Sequence, residues 1–292
     1  MMAISIWRGI GPIGIPFHSG RLSIAEVVRN RLNLFCWIAA ALVIFPNPAH
    51  AVESASTNQP LRQIDFAARA RKNFNAARTR YQTETNSAEA AWQFARACFD
   101  LGEFSKTSSD RAEIAETGIA VARKLVAQEP NLAEAHYYLA MNFGQLARTK
   151  TFGALRLVDQ MEVEFSKALN LNEHLDFAGP DRNLGLLYLE APAFGSIGSR
   201  TKARQHLRRA VELEPDYPEN RLHLIKAYLR WGDRTGATRE FEALEKGWAA
   251  AHQKFSGDDW AANWVDWEKM YREDKEKIDE PHKQLESPRE KN

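Results

Sequence analysis

The chain has 292 residues, of which 44% are hydrophobic and 26% charged, and its formal net charge is +1. These proportions suit a soluble globular protein, remove any global electrostatic reason to expect nucleic acid as a partner, and otherwise exclude little. The two cysteines, Cys36 and Cys98, offer no C-x-x-C or other metal-ligand spacing.

The first fifty residues read as an export leader. Arg29 and Arg31 precede an uncharged run from Leu34 to Phe45, followed by Pro46, Pro48 and the small-residue ending Ala49-His50-Ala51. Twelve apolar residues are too few for the ~20 that cross a bilayer, so the pattern predicts a signal peptide cleaved after Ala51 rather than an anchor. Cys36 follows Phe35 at the start of the apolar run rather than after it, so it does not form a lipoprotein acylation box. The G-x-G-x-x-G string of Gly9, Gly11 and Gly14 lies in this leader with Pro12 inside it and no strand before it, which removes the dinucleotide reading. Cleavage leaves 35 basic and 37 acidic residues and only Cys98, so packing rather than a disulfide must stabilise the exported chain.

From Gln59 to Lys246 the apolar residues follow a helical period, with breaks at Pro or Gly and no strand-like alternation. Self-similarity then sets the architecture. Ala70, Phe74 and Ala77 form a small-large-small trio with no helix before them in register. Phe94, Ala95 and Cys98 begin a large-small-aromatic pattern answered by Ala122, Leu125 and Pro130, and Leu139, Ala140 and Phe143 repeat it with Phe165 and Ala168. Leu184, Gly185 and Tyr188 are followed by Ala203, Leu207, Ala210 and Pro215, and Leu224 and Tyr228 by Ala237, Phe241 and Leu244. Small residues let two helices approach while large ones fill the space beside them. The equivalent residues Phe94, Leu139, Leu184 and Leu224 are 45, 45 and 40 positions apart, longer than the usual ~34 of such repeats. The chain therefore divides into a leader (1–51), an all-α repeat domain of a half and four whole helical hairpins (52–255), an aromatic C-terminal cap helix (256–275) and a charged tail without fixed structure (276–292).

The segments AHYYLAMNFGQLA, RNLGLLYLEAP and KARQHLRRAVELEPDYPENRLHLIKAY, with the Trp231-Gly232-Asp233 turn, make the chain resemble divergent tetratricopeptide repeat proteins over about Asn86 to Gly247. Among these it is similar to the periplasmic T components associated with TRAP-type transporters and to the regulator of microtubule dynamics family. T components are typically lipoproteins, and this chain departs from them in lacking the acylation box. The resemblance implies an α-solenoid that binds a protein partner, an extended peptide or a small hydrophobic or anionic ligand. It carries over no catalytic residue and no cofactor.

In such solenoids the first helices form a concave wall. Transferring that rule places Trp92, Arg96, Phe99, Tyr137, Met141, Gln145, Arg182, Glu190, Lys226 and Arg230 on it, aromatic at one end and basic at the other. The alternative is that the rings pack between helices and the basic residues form a solvated face. Three insertions, GEFSKTSSDR, ARTKTFG and EAPAFGSIGSR, fall between first and second helices and so on one edge. Their Lys106, Arg148, Lys150 and Arg200 are candidates for an anion or partner site, against the alternative of polar connecting loops. Trp260, Trp264, Trp267 and Tyr271 share a helical face after Ser256-Gly257-Asp258-Asp259, a pattern that suits a terminal cap or a helix folded into the groove.

Chemistry has little to stand on. No Walker loop, nucleophile elbow, H-E-x-x-H pair or C-x-x-C occurs, and the histidines have no ligand spacing. The cluster His174, Asp176 and Asp181 before a helix is the richest polar group, with Asp181 read as the helix cap. His136 reads as a packed or surface imidazole and Cys98 as an inert core residue. The basic residues Arg62, Arg69, Arg71, Lys72, Arg78 and Arg80 read as a solvated helix face. The expectation is an exported, non-enzymatic binding scaffold with no metal or cofactor, no nucleic acid and no membrane span in the mature chain.

Overall fold

The computed structural model describes residues 65–280. The expected leader, with Cys36 and its glycine string, Arg62 and the tail beyond residue 280 lie outside the described residues. Ten helices and no strand occur among the described residues: α1 (Phe66–Thr83), α2 (Ala88–Gly102), α3 (Ser108–Gln128), α4 (Ala133–Ala147), α5 (Ala154–Leu171), α6 (Gly179–Glu190), α7 (Arg200–Leu213), α8 (Pro218–Arg230), α9 (Arg234–Lys254) and α10 (Ala261–Asp279). Helices α2 to α9 form four antiparallel hairpins, preceded by the lone α1 and followed by α10.

Local sequence explains the boundaries. Ser87, Thr107, Ser199 and Asp233 each accept a hydrogen bond from the backbone N–H three residues on, satisfying a donor the helix start leaves open. Pro218 opens α8 at a position where no N–H is needed. Glu129 and Glu214 end α3 and α7 because Pro130 and Pro215 disfavour helical backbone in the residue before them. The hairpins are joined by one recurring turn: Ser87 N–H donates to Glu84 C=O (2.9 Å), Leu132 to Glu129 (3.1 Å) and Tyr217 to Glu214 (3.2 Å).

The connection between α5 and α6 starts the same way, with Leu175 N–H on Asn172 C=O at 3.3 Å, and then departs from it. Asp176, Phe177 and Ala178 all adopt left-handed backbone, at φ 53°, 54° and 60°. Each such residue costs about 1–2 kcal/mol, so surrounding contacts must hold the segment. Asp181 was expected to cap α6; Ala178 occupies that place instead and Asp181 lies in the first turn.

Packing follows the small-large alternation. Ala95 and Ala140 are wholly buried beside Phe94 and Leu139. A Cβ on Gly185 would stand 2.6 Å from Leu207 Cγ and 3.0 Å from the Leu207 backbone nitrogen, so α6 and α7 touch through the missing side chain. At the C-terminal end Tyr217, Phe255, Trp260, Trp264 and Trp267 form one aromatic cluster, in which Trp267 lies 5.3 Å from Tyr217 and 5.0 Å from Trp264. Trp264 Nε1 donates to Phe255 C=O (2.5 Å), so the indole is buried with its polar edge satisfied. Helix α10 packs on both α8 and α9. It begins at Ala261, later than the expected start at Ser256, because Gly257 turns the chain at φ 92°. It also runs to Asp279, past the boundary expected at 275. Arg69 on α1 donates to Asp258 C=O and to Asp259 Oδ1, both at 2.9 Å, joining residues 190 positions apart.

Candidate functional site

The residues expected on an open inner wall are for the most part packed away. Tyr137, Met141, Gln145 and Arg182 are no more than 1% exposed, and Phe99 and Arg96 are 5% and 8% exposed. The reason is that first helices pack directly on one another, α2 on α4 and α6 on α8. Asn183 Nδ2 donates to Tyr137 Oη (2.8 Å) and approaches Met141 Sδ (3.5 Å), while Gln145 donates to Phe99 C=O (3.3 Å) and to Glu103. Trp92 stacks on Tyr138 with centroids 5.7 Å apart, and Arg96 faces Asp100 at 3.7 Å. Glu190 pairs with Arg230 at 2.6 Å, and Lys226 is half-buried on the side of α8 that meets α10.

The left-handed segment fills the middle of this wall. Asp176 Oδ2 accepts from Tyr137 Oη and Arg182 Nη2, both at 2.8 Å, and Phe177 stacks on Tyr217 at 4.6 Å. Arg182 also donates to Asn220 Oδ1 (2.9 Å) and Phe177 C=O (3.0 Å), and lies over the Tyr217 ring at 5.2 Å. Burial pushes Asp176 up to about 7, against the pull of Arg182 and the Tyr137 hydrogen bond. Burial works against the Arg182 charge, yet Glu219 and Asp176 raise its pKa overall. Burial also holds the Tyr137 and Tyr217 phenols well above their ordinary range and lowers His223. These perturbed groups would mark an active site if they faced solvent. They do not: the side chains of Asp176, Arg182 and Glu219 are 0–3% exposed, and the cluster fixes the α5–α6 link. The polar trio read before α6 is dispersed, with His174 on Glu214 (2.8 Å) at the surface, Asp176 inward, and Asp181 on His206 (2.7 Å) and Arg209 (3.3 Å). His136 is buried between Glu164 (2.5 Å) and Pro130 C=O (2.9 Å). The sequence carried no sign that Asn183, Glu219 and Asn220 would join Asp176, because a left-handed backbone at three non-glycine residues cannot be read from composition.

Solvent-facing chemistry lies on the insertion edge and on α7. Arg148 pairs with Glu103 at 2.9 Å, and Arg111 donates to Gln145 Oε1 at 2.7 Å. Burial and the repulsion of Arg148 lower Arg111 to about 10. Lys150 reaches Glu116 at 4.0 Å, and Lys106 is exposed. Arg200, Arg204 and Arg208 recur every fourth residue and line one shallow depression on α7. Arg200 and Arg204 each lie 5.2 Å from the Trp231 ring, and Arg204 also lies 5.9 Å from Tyr228. None of the three forms an ion pair among the described residues, whereas their neighbours Lys202, His206 and Arg209 pair with Glu162, Asp181 and Glu173. Of this ridge, the sequence reading singled out Arg200 alone. The spacing of Arg204 and Arg208 was visible, but which arginines would lack carboxylates was not.

Among the described residues no group of three or more His, Cys, Asp or Glu is arranged to hold a metal, and no helix is long and apolar enough to cross a membrane. The family model described as regulator of microtubule dynamics protein 1-3 matches residues 61–178. The crystal structure of TTC0263, a thermophilic TPR protein of Thermus thermophilus, is similar at a TM-score of 0.53 and 20% identity, covering 71% of this chain and 91% of that one. MamA aligns at a TM-score of 0.44 and 17% identity, covering 65% of this chain and 98% of its own. No curated protein matches. The sequence period, the stacked hairpins and the likeness to the Thermus protein give the chain a tetratricopeptide-like helical-hairpin fold, and over α1 to α5 it resembles the regulator of microtubule dynamics family.

Proposed function

We propose that this protein is an exported, non-enzymatic scaffold that holds an acidic, extended segment of a protein partner along α7. The observation that carries this reading is the row of Arg200, Arg204 and Arg208, none of them in an ion pair among the described residues although Glu212 lines the same depression, and with two of the three over Trp231. A guanidinium over an indole is held by cation–π attraction, and its outer N–H groups can take a carboxylate. The helical-hairpin fold supports a binding role, since stacked repeats offer long surfaces to partners. Export rests on the charge and apolar pattern of the leader, and it suits an accessory subunit of an envelope or transport assembly. A small hydrophobic or anionic ligand in the inner wall has less support, because Tyr137, Met141 and Arg182 are buried in contacts within the chain.

The test is the anisotropy of a fluorescein-labelled Asp/Glu-rich decapeptide titrated with the protein at low and at physiological salt. Binding should weaken with salt and fall by about tenfold or more in Arg204→Glu/Arg208→Glu, as charge pairs at a rim do. Equal affinity of variant and parent, or no binding at low salt, would reject the arginine row as the site. Export is read separately by N-terminal sequencing of the protein recovered from its producing cells, with Val52 expected as the first residue.

A further inference from the structure

Two connecting loops on the same edge each end in an outward phenyl ring. Phe152, between α4 and α5, is 90% exposed, and Phe194, between α6 and α7, is 97% exposed. Each is followed by a glycine in left-handed backbone, Gly153 at φ 80° and Gly195 at φ 77°, with nothing within 4 Å of where a Cβ would stand. The same Phe-Gly device thus occurs in two successive hairpins and holds each ring clear of the body. Scattered exposed apolar residues need no explanation, but two almost fully exposed rings in corresponding connections of successive hairpins do. Leu155, in the first turn of α5, adds a third apolar side chain at 39% exposure.

The outward charges around these rings are mostly basic, with Asp110 and Asp159 as exposed acids nearby. Glu103 and Glu190, at the C-terminal ends of α2 and α6, turn inward to Arg148 and Arg230, and their side chains are 5% and 8% exposed. Lys106, Arg156 and Arg200 point outward, together with Lys150, which reaches Glu116 only at 4.0 Å. Protruding rings flanked by cations, with no concave surface lined by them, suit an interface that is apolar beneath and anionic on top.

We infer that this edge docks on a phospholipid surface bearing anionic headgroups, with Phe152 and Phe194 entering the interfacial layer and Lys106, Lys150, Arg156 and Arg200 facing the headgroups. The rings supply apolar area at low cost in side-chain freedom, and the long basic side chains lie along the surface with their charges among the phosphates. This inference shares Arg200 with the acidic-segment reading but rests on Phe152 and Phe194, which lie outside the α7 row.

The experiment is amide hydrogen exchange by mass spectrometry on the full chain, with and without vesicles of phosphatidylcholine alone or mixed with phosphatidylglycerol. Reading exchange loop by loop separates this edge from any contribution of the leader. Residues 148–156 and 191–200 should gain protection on the mixed vesicles and less on phosphatidylcholine alone. Phe152→Ser/Phe194→Ser should remove that protection and leave exchange elsewhere unchanged, since both side chains are solvent-exposed. Phe152→Trp/Phe194→Trp should retain it. Vesicle partitioning of the serine variant should fall by about tenfold relative to the tryptophan variant. Loops that exchange equally with and without vesicles, protection that survives the serine pair, or protection conferred by a protein partner and not by vesicles would each overturn the inference.

Discussion

Asp274 on α10 is 3% exposed, and its Oδ2 has no hydrogen-bond partner among the described residues. Burial pushes its carboxyl up to about 7, although Lys277 on its own helix and Lys226 on α8 pull it down and Glu273 adds to the rise. An unfolded aspartate titrates near ~4, so the folded chain keeps a proton that the unfolded chain has released. This group's contribution to stability is therefore complete below about pH 4 and is lost as the pH rises through about 7. Asp274→Asn keeps the shape and removes the charge. It should leave stability near that of the parent at about pH 4 and raise it by ~1–3 kcal/mol at about pH 8, measured by urea unfolding. A variant that differs from the parent by the same amount at both pH values would show that the charge is not the cause. Single residues were legible from sequence where the repeat dictates them: Cys98 was read as an inert core residue, and it is fully buried with its thiol pushed up to about 12 by burial. Asp274 was not, since a charged residue in a Lys/Glu-rich helix gives no sign that it faces inward.

Helix pairs show the same division. The small-large alternation was readable because it is the direct condition for two helices to touch, and Gly185 against Leu207 is its tightest instance. Gly185→Ala should destabilise the protein by ~1–3 kcal/mol, because the Leu207 backbone nitrogen cannot move aside as a side-chain tip can. Thermal unfolding checks this, and an unchanged midpoint would mean that α6 and α7 separate freely. The aromatic stripe of α10 was likewise readable from spacing, and its rings meet Tyr217 and Phe255 in a cap on α8 and α9. Trp267→Ala should cost ~3–5 kcal/mol, with the loss read from urea unfolding and from exposure of the remaining tryptophans to acrylamide. A loss under ~1 kcal/mol would mean that α10 contributes little to the stack. The inner wall was misread for a stated reason. The rule placing Tyr137, Met141 and Arg182 in an open groove assumes first helices spread apart, and here they close on each other around the Asp176–Ala178 link.

Across the whole stack, the pairing of adjacent helices was legible in the 45-, 45- and 40-residue periods. Long-range contact was not, because no local pattern announces a partner 190 residues away. Helical arrays owe their stability mainly to neighbouring hairpins, so the bond from Arg69 to Asp258 and Asp259 is an exception. Both partners are partly exposed, at 25% and 62% for the Arg69 and Asp259 side chains. Arg69→Ala should therefore change global stability by less than about 1 kcal/mol. It should instead speed amide exchange in the first turns of α1 and in residues 255–260. Unchanged exchange in both segments would show that the contact constrains nothing. The link also bears on how such a protein can change over time. Repeat arrays ordinarily grow or shrink by duplicating or losing a hairpin, each new unit needing only a neighbour to lean on. Where the first helix meets the final loop, inserting one more hairpin would pull those two apart and deleting one would drive them into each other. A change in the number of units would therefore lose this contact as well, at a cost of under about 1 kcal/mol, whereas the connecting loops can lengthen without disturbing it.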